Sequence, residues 1–255
     1  MNSKGYIKTS AENGIGTIEF YHPAGNSLPG NLLSDLAAAV TEMGADDEAR
    51  VIVLRSAGDR AFCAGASFDE LAAIEDFETG KKFFMGFANV INAMRKVPKF
   101  IIGRVQGKAV GGGVGMASAV DYCLATEAAS VKLSELAVGI GPFVVGPAVE
   151  RKLGLSATTA LTVNATAWKS AAWAAEKGLY AEVFPDIPAL DHAVQSLAEK
   201  LTASNPEAMA ELKAVFREGT EHWDDLLAER AAVSGKLVLS DFTKNAIAAF
   251  KQGKR

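Results

Sequence analysis

The chain is poor in cysteine. Of its 255 residues only Cys63 and Cys123 are of that type, which rules out a disulfide framework as the source of stability and makes a reducing compartment, the cytoplasm, the expected setting. It lacks basic runs, and its net charge is −4; a nucleic-acid surface is not expected. No apolar run reaches the roughly 18 residues a membrane span needs. Residues 1–6 contain no apolar stretch of the kind a signal peptide requires. The histidines His22, His192 and His222 lack metal-ligand spacing, and no metal is expected. Internal repeats and low-complexity tracts are also missing.

What the chain does have is a hydrophobic content of 49%, enough to bury a sizeable core in one large domain. Thr17–Tyr21 alternates like a half-buried strand after which His22-Pro23-Ala24-Gly25-Asn26-Ser27 reads as a turn. Leu32, Leu33, Leu36, Val40 and Met43 recur at helical spacing. Val51–Leu54 is a continuous apolar run, as in a strand buried on both faces. A loop over 56–66 and a short helix over 69–74 follow. A longer helix is marked by Phe83, Phe84, Phe87, Val90, Ile91 and Met94. Strands are expected over 100–105, 122–125, 130–133 and 179–184. Beyond Pro185 the pattern is helical only, over 189–201, 206–216, 222–237 and 241–251, with Asp191 and Asn205-Pro206 as helix-start signals. The composition of elements is that of an α/β core over 1–188 followed by a helical region over 189–255.

Two loops carry the chemistry. In Gly107-Lys108-Ala109-Val110-Gly111-Gly112-Gly113-Val114-Gly115, three consecutive glycines lie between a strand-like run and a small-residue helix over 115–120. Glycine permits sharp turns and close approach, and a helix start favours negative charge. The run is a cradle for an anion. It is not a phosphate loop of the Gly-x4-Gly-Lys-Ser/Thr type, and its glycine spacing does not fit a dinucleotide fingerprint. The second loop, Arg60-Ala61-Phe62-Cys63-Ala64-Gly65-Ala66-Ser67, also follows a buried strand and opens a helix. Two such loops can aim two N–H groups at one oxygen, the geometry of an oxyanion hole.

Taken in order, these two loops resemble the crotonase (enoyl-CoA hydratase/isomerase) superfamily. The likeness extends to His22-Pro23 with Asn26, to Ser134-Glu135-Leu136-Ala137-Val138-Gly139-Ile140-Gly141-Pro142 and to Ala249-Phe250-Lys251. It implies the crotonase (ClpP/crotonase-like) fold, a spiral of ββα units followed by a helical region that trimerises and contacts CoA. It further implies an acyl-CoA thioester as substrate, with CoA part of that substrate and no separate cofactor. A homotrimer or hexamer is implied, with neither nucleic acid nor membrane as partner.

By the same resemblance, the amides of Ala66 and Gly112 hold the thioester oxygen and Glu135 is the acid–base residue. Ala64, Gly65 and Gly111 contact CoA, as do Phe250 and Lys254 from the C-terminal helix, with Lys251 a rival for the basic position. Hydratases of the family carry a second glutamate at the position matching Gly115, where this chain has no side chain. A single carboxylate suits migration of a double bond from the 3,4 to the 2,3 position. Hydration and decarboxylation are the alternatives within the family, and a non-catalytic CoA- or RNA-binding homologue is the alternative outside it.

Other residues read as structural. Asp69 and Glu70 suit helix capping, and Ser67 stands where the family commonly has an aspartate. Cys63 suits a small buried hydrophobe, and Glu150 with Arg151 a structural pair. Phe83, Phe84 and Phe87 read as core, and 142–149 as a wall of the acyl pocket.

Overall fold

A computed structural model describes residues 5–251, of which 250 and 251 are described in backbone only. The chain opens with a hairpin. β1 (Tyr6–Glu12) pairs antiparallel with β2 (Gly14–Tyr21), and Glu12 faces Ile15 across the turn. Asn13 and Gly14 have φ of 53° and 81°, the left-handed pair that a tight hairpin turn demands and that Asn-Gly supplies. β1 is absent from the sequence reading, because its largely polar, exposed pattern hides it.

From there the chain repeats one path three times. β3 (Ala49–Ser56), β5 (Ile101–Val105) and β7 (Tyr122–Thr126) join a large sheet. Each is followed at once by a short strand of a second sheet, β4 (Ala61–Cys63), β6 (Lys108–Val110) and β8 (Val131–Lys132). With β9 (Glu182–Phe184), the large sheet has the order β1-β2-β3-β5-β7-β9 and the small one β4-β6-β8. Every pairing except β1–β2 is parallel. This is the crotonase arrangement of successive ββα units followed by helices. The last strand is shorter than the 179–184 run suggests: Leu179 and Tyr180 are buried in the approach to it, where the Tyr180 hydroxyl donates to the Ala129 carbonyl at 3.0 Å.

The helices between strands are α1 (Gly30–Ala45), α2 (Phe68–Ala72), α3 (Phe77–Lys96), α4 (Gly112–Ala119), α5 (Gly146–Val163) and α6 (Ala171–Glu176). After β9 come α7 (Ile187–Thr202), α8 (Pro206–Phe216), α9 (Trp223–Leu237) and α10 (Asp241–Lys251). β3 is buried on both faces, as its unbroken apolar run predicts. Ile52 and Leu54 point into the main core with Ile18 and Phe20. Val51 and Val53 meet Leu190, Val194 and Ala198 of α7 on the other face. α7 thus covers the large sheet of its own chain.

Three local expectations are corrected. Asp191 does not start a helix: Asp186 caps α7 by accepting from the Ala189 amide at 2.9 Å. Asp191 lies inside α7, where its carboxylate receives Arg104 at 2.6 and 3.1 Å; a nearly buried guanidinium selects it there. α4 begins at Gly112, three residues before the run at 115–120, because Gly111 itself turns the chain into the helix. Arg151 does not pair with Glu150 but donates to the carbonyls of Phe216 and Glu218 at 2.7 and 3.0 Å. Asn205 caps α8 as expected, accepting from the amides of Glu207 and Ala208. Among the described residues no helix is long and apolar enough to cross a membrane.

Candidate active site

The small sheet assembles the site. Its strands are adjacent and parallel, with Cys63 opposite Ala109 and Ala109 opposite Val131. Just beyond their C-terminal ends stand Ala66, Gly112 and Glu135, all lining one cavity of about 80 Å³.

The loop after β4 is held in place by the turn at 22–28. Asn26, with φ 57°, accepts from the His22 amide and donates to the carbonyls of Ala57 and Ala61, each at 2.9 Å. The turn then pins the loop: the Leu28 amide donates to the Gly65 carbonyl at 2.8 Å, and the Ser67 amide to the Leu28 carbonyl at 3.2 Å. This parallel bridge uses the groups flanking Ala66, so the Ala66 N–H is turned away from it. That N–H has no acceptor among the described residues.

The loop after β6 turns on Gly111. Its φ of 53° with ψ of −116° is a conformation reserved for glycine. The Gly111 amide donates to the Lys132 carbonyl at 2.9 Å, and its carbonyl accepts from Val114 and Gly115, starting α4. As the first helical residue, Gly112 has no intrahelical acceptor for its N–H, and none is found elsewhere among the described residues. The two loops come close: a Cβ on Gly65, whose φ is 90°, would stand 3.7 Å from the Gly112 nitrogen. Two free amides, one at the positive end of a helix, thus open onto one cavity, and the arrangement can bind an oxyanion.

Glu135 follows β8 as the first residue of a 3-10 turn, Glu135–Val138. Its Oε2 is shut off from solvent and has no hydrogen-bond partner among the described residues. Burial pushes its carboxyl up to about 7, against a smaller pull from its own backbone N–H. A carboxyl poised there can both take and return a proton near neutrality. The walls around it are apolar, with Phe84 and Phe87 from α3 and the stretch Pro142 to Val145 ahead of α5. Phe83 points instead into a separate cluster with Leu71, Ile74 and Ile140.

The sequence places Val145 in the 142–149 wall but does not announce its contact with Gly115. The point that a Cβ on Gly115 would occupy lies 2.7 Å from the Val145 Cβ. A buried β-branched side chain therefore fills the place from which a second carboxylate would project. This contact joins α4 to the start of α5, and no spacing along the chain announces it.

Cys63, Ser67 and Glu70 serve the local fold. Cys63 is fully buried, its thiol pushed up to about 12 by burial, and its sulfur accepts from the Gly65 amide at 3.4 Å. Ser67 rather than Asp69 or Glu70 caps α2, and the Glu70 carboxylate accepts from the Gly30 amide at 2.7 Å. Ala64, Gly65 and Gly111 line the cavity. The Phe250 side chain, that of Lys251, and Lys254 lie outside the described residues. No group of three His, Cys, Asp or Glu side chains among the described residues is placed to hold a metal ion.

Residues 10–252 match the sequence profile of the enoyl-CoA hydratase/isomerase family. The mitochondrial methylglutaconyl-CoA hydratase of Mus musculus is 31% identical over 200 residues, 77% of this chain. That match spans 63% of the mouse protein, less than two thirds of its length. The short-chain-enoyl-CoA hydratase of Clostridium acetobutylicum is 27% identical over 227 residues, covering 88% of this chain and 86% of the relative. Among solved structures, the enoyl-CoA hydratase of Bacillus halodurans superimposes with a TM-score of 0.88 at 20% identity, over 96% of this chain and 99% of the other.

Proposed function

The chain belongs to the enoyl-CoA hydratase/isomerase family, and from that premise we propose that it shifts the double bond of a β,γ-unsaturated acyl-CoA into conjugation with the thioester. The thioester oxygen sits between the amides of Ala66 and Gly112. The Glu135 carboxylate takes a proton from C2, breaking that C–H bond, and the electron pair spreads through the alkene onto the oxygen. Glu135 then returns the same proton to C4, and the double bond lies between C2 and C3. No atom is gained or lost. CoA is part of the substrate, no separate cofactor takes part, and the assembly at work is a trimer or hexamer in the cytoplasm.

The observation that carries this reading is the contact between Gly115 and Val145. Hydration needs a water held and activated at the alkene; here the space beside Gly115 is filled by Val145, an apolar side chain lining the same cavity as Glu135. A lone carboxylate with its proton affinity near neutrality suits a step that takes and returns one proton. Hydration remains the second reading, favoured by the activities of the mouse and Clostridium relatives. Paired assays decide between them: bond migration in a β,γ-enoyl-CoA against water addition to crotonyl-CoA. Faster migration, lost in Glu135→Gln, supports the proposal; faster water addition overturns it.

A further inference from the structure

A second cavity near α4 lies at the end opposite Gly112. It measures about 420 Å³ and is walled by apolar side chains, among them Val120, Leu201 and Trp223. α4 has eight residues and spans roughly 12 Å, so this cavity is separate from the oxyanion amides.

The charges around it do not balance. Asp121 is the single carboxylate at its floor, and it accepts from Arg217 at 2.6 Å and from Lys213 at 3.0 Å. Lys152 approaches from α5 and donates to the carbonyls of Val120 and Asp121 at 3.1 and 2.9 Å. Arg151 stands at the exposed rim. Arg151, Lys152 and Arg217 thus line the cavity against one carboxylate, which Lys213 already contacts from outside the lining. Burial lowers the proton affinity of Lys152 and brings Lys213 to about 8, against the opposing pull of Asp121.

Two of the cations retain unused donors. Arg217 makes its bonds to Ala119 and Asp121 through Nη2 alone, and Arg151 does the same to Phe216 and Glu218. Nε and Nη1 of both have no partner among the described residues. A guanidinium with free N–H groups beside an apolar hollow is suited to a carboxylate that carries a hydrocarbon body.

We infer that this cavity is a second ligand site, for an amphipathic carboxylate whose head meets Arg151 and Arg217 and whose body lies against Val120, Leu201 and Trp223. The inference rests on this cavity alone and stands whichever reaction the Glu135 site performs.

Calorimetric titration of the full chain tests it with three probes: octanoate, octanol and acetate. Octanoate is expected to saturate at one per chain, with affinity at least about ten-fold above octanol, as the loss of a charge-assisted hydrogen bond would give. Acetate, lacking a body, should give no saturable heat. Arg217 is tied into the buried Asp121 cluster, so its replacement risks the fold; Arg151→Met at the rim avoids that. This variant should lose about ten-fold in octanoate affinity and none for octanol. A saturating, unreactive CoA thioester should leave octanoate binding intact. Absence of octanoate binding overturns the inference. So do equal affinities for octanoate and octanol, displacement by the thioester, or an Arg151→Met variant that binds octanoate as the parent does.

Discussion

The Glu135 carboxylate packs against the turn that presents the Gly112 amide. Its Oε1 lies 2.9 Å from the point that a Cβ on Gly111 would occupy. The proposed base and oxyanion donor are therefore held at a distance that only a residue without a side chain allows.

Gly111→Ala should damage both at once. A methyl group at φ 53°, ψ −116° costs on the order of 1–3 kcal/mol of stability and pushes Glu135 from its seat. Displacing either group by about 1 Å is expected to lower turnover about 100-fold. A depressed thermal midpoint together with a residual turnover near that level is the expected result; parental turnover would show that the contact is immaterial.

Glu135→Gln should slow proton transfer by about 10²–10⁴-fold while leaving the fold intact, since a neutral amide is no harder to bury than a carboxylic acid. Calorimetric unfolding and turnover on the same sample separate the two effects.

The pH dependence of stability follows from the same residue. Its carboxyl is raised from 4.5 to about 7 in the folded chain, so the folded state holds the proton more tightly than the unfolded one. Stability from this group is full below pH 4.5 and is lost as pH rises to about 7. The full loss is about 3 kcal/mol. Urea midpoints across that interval should fall more steeply for the parent than for Glu135→Gln. The pH profile of kcat/KM runs the other way, since the base must be ionised: it should climb below about 7 and level off above.

Gly115→Glu by itself should overpack α4 against Val145, at a cost of about 1–3 kcal/mol. Gly115→Glu combined with Val145→Gly relieves the clash and places a second carboxylate opposite Glu135. The double variant should add water to crotonyl-CoA faster than the parent does. An unchanged rate would mean that a second acid is not what hydration lacks in this cavity.

Asn26→Ala removes three hydrogen bonds and places alanine at φ 57°. Ala61 keeps a bond from Gln106 at 3.3 Å, but leaving the His22 amide and the Ala57 carbonyl unsatisfied is expected to cost about 1–3 kcal/mol, and turnover should fall because Ala66 is positioned through this turn. Guanidinium unfolding and steady-state kinetics provide the check.

Elements with strong local signals were legible in the sequence, as α8 and α10 illustrate: an Asn-Pro start and an amphipathic stripe need no tertiary context. α5 was not, because Gly154 with φ 78° kinks it and breaks the periodicity. β4 and β6 are three residues each and exist by pairing with neighbours, not by propensity. The grouping of Ala66, Gly112 and Glu135 was readable as a pattern of loops in order. The contact of Val145 with Gly115 was not, because it forms across two helices.

The order of the small sheet has a consequence for how this chemistry can change. In the proposed reaction each of its three neighbouring strands delivers one working group: a first amide beyond β4, a second beyond β6, a proton carrier beyond β8. The roles are thus distributed over separate stretches of chain that share only a frame. Replacing one leaves the other two anchored, so a new reaction can arise by altering a single strand exit while the frame, and the hold on the common intermediate, is inherited unaltered.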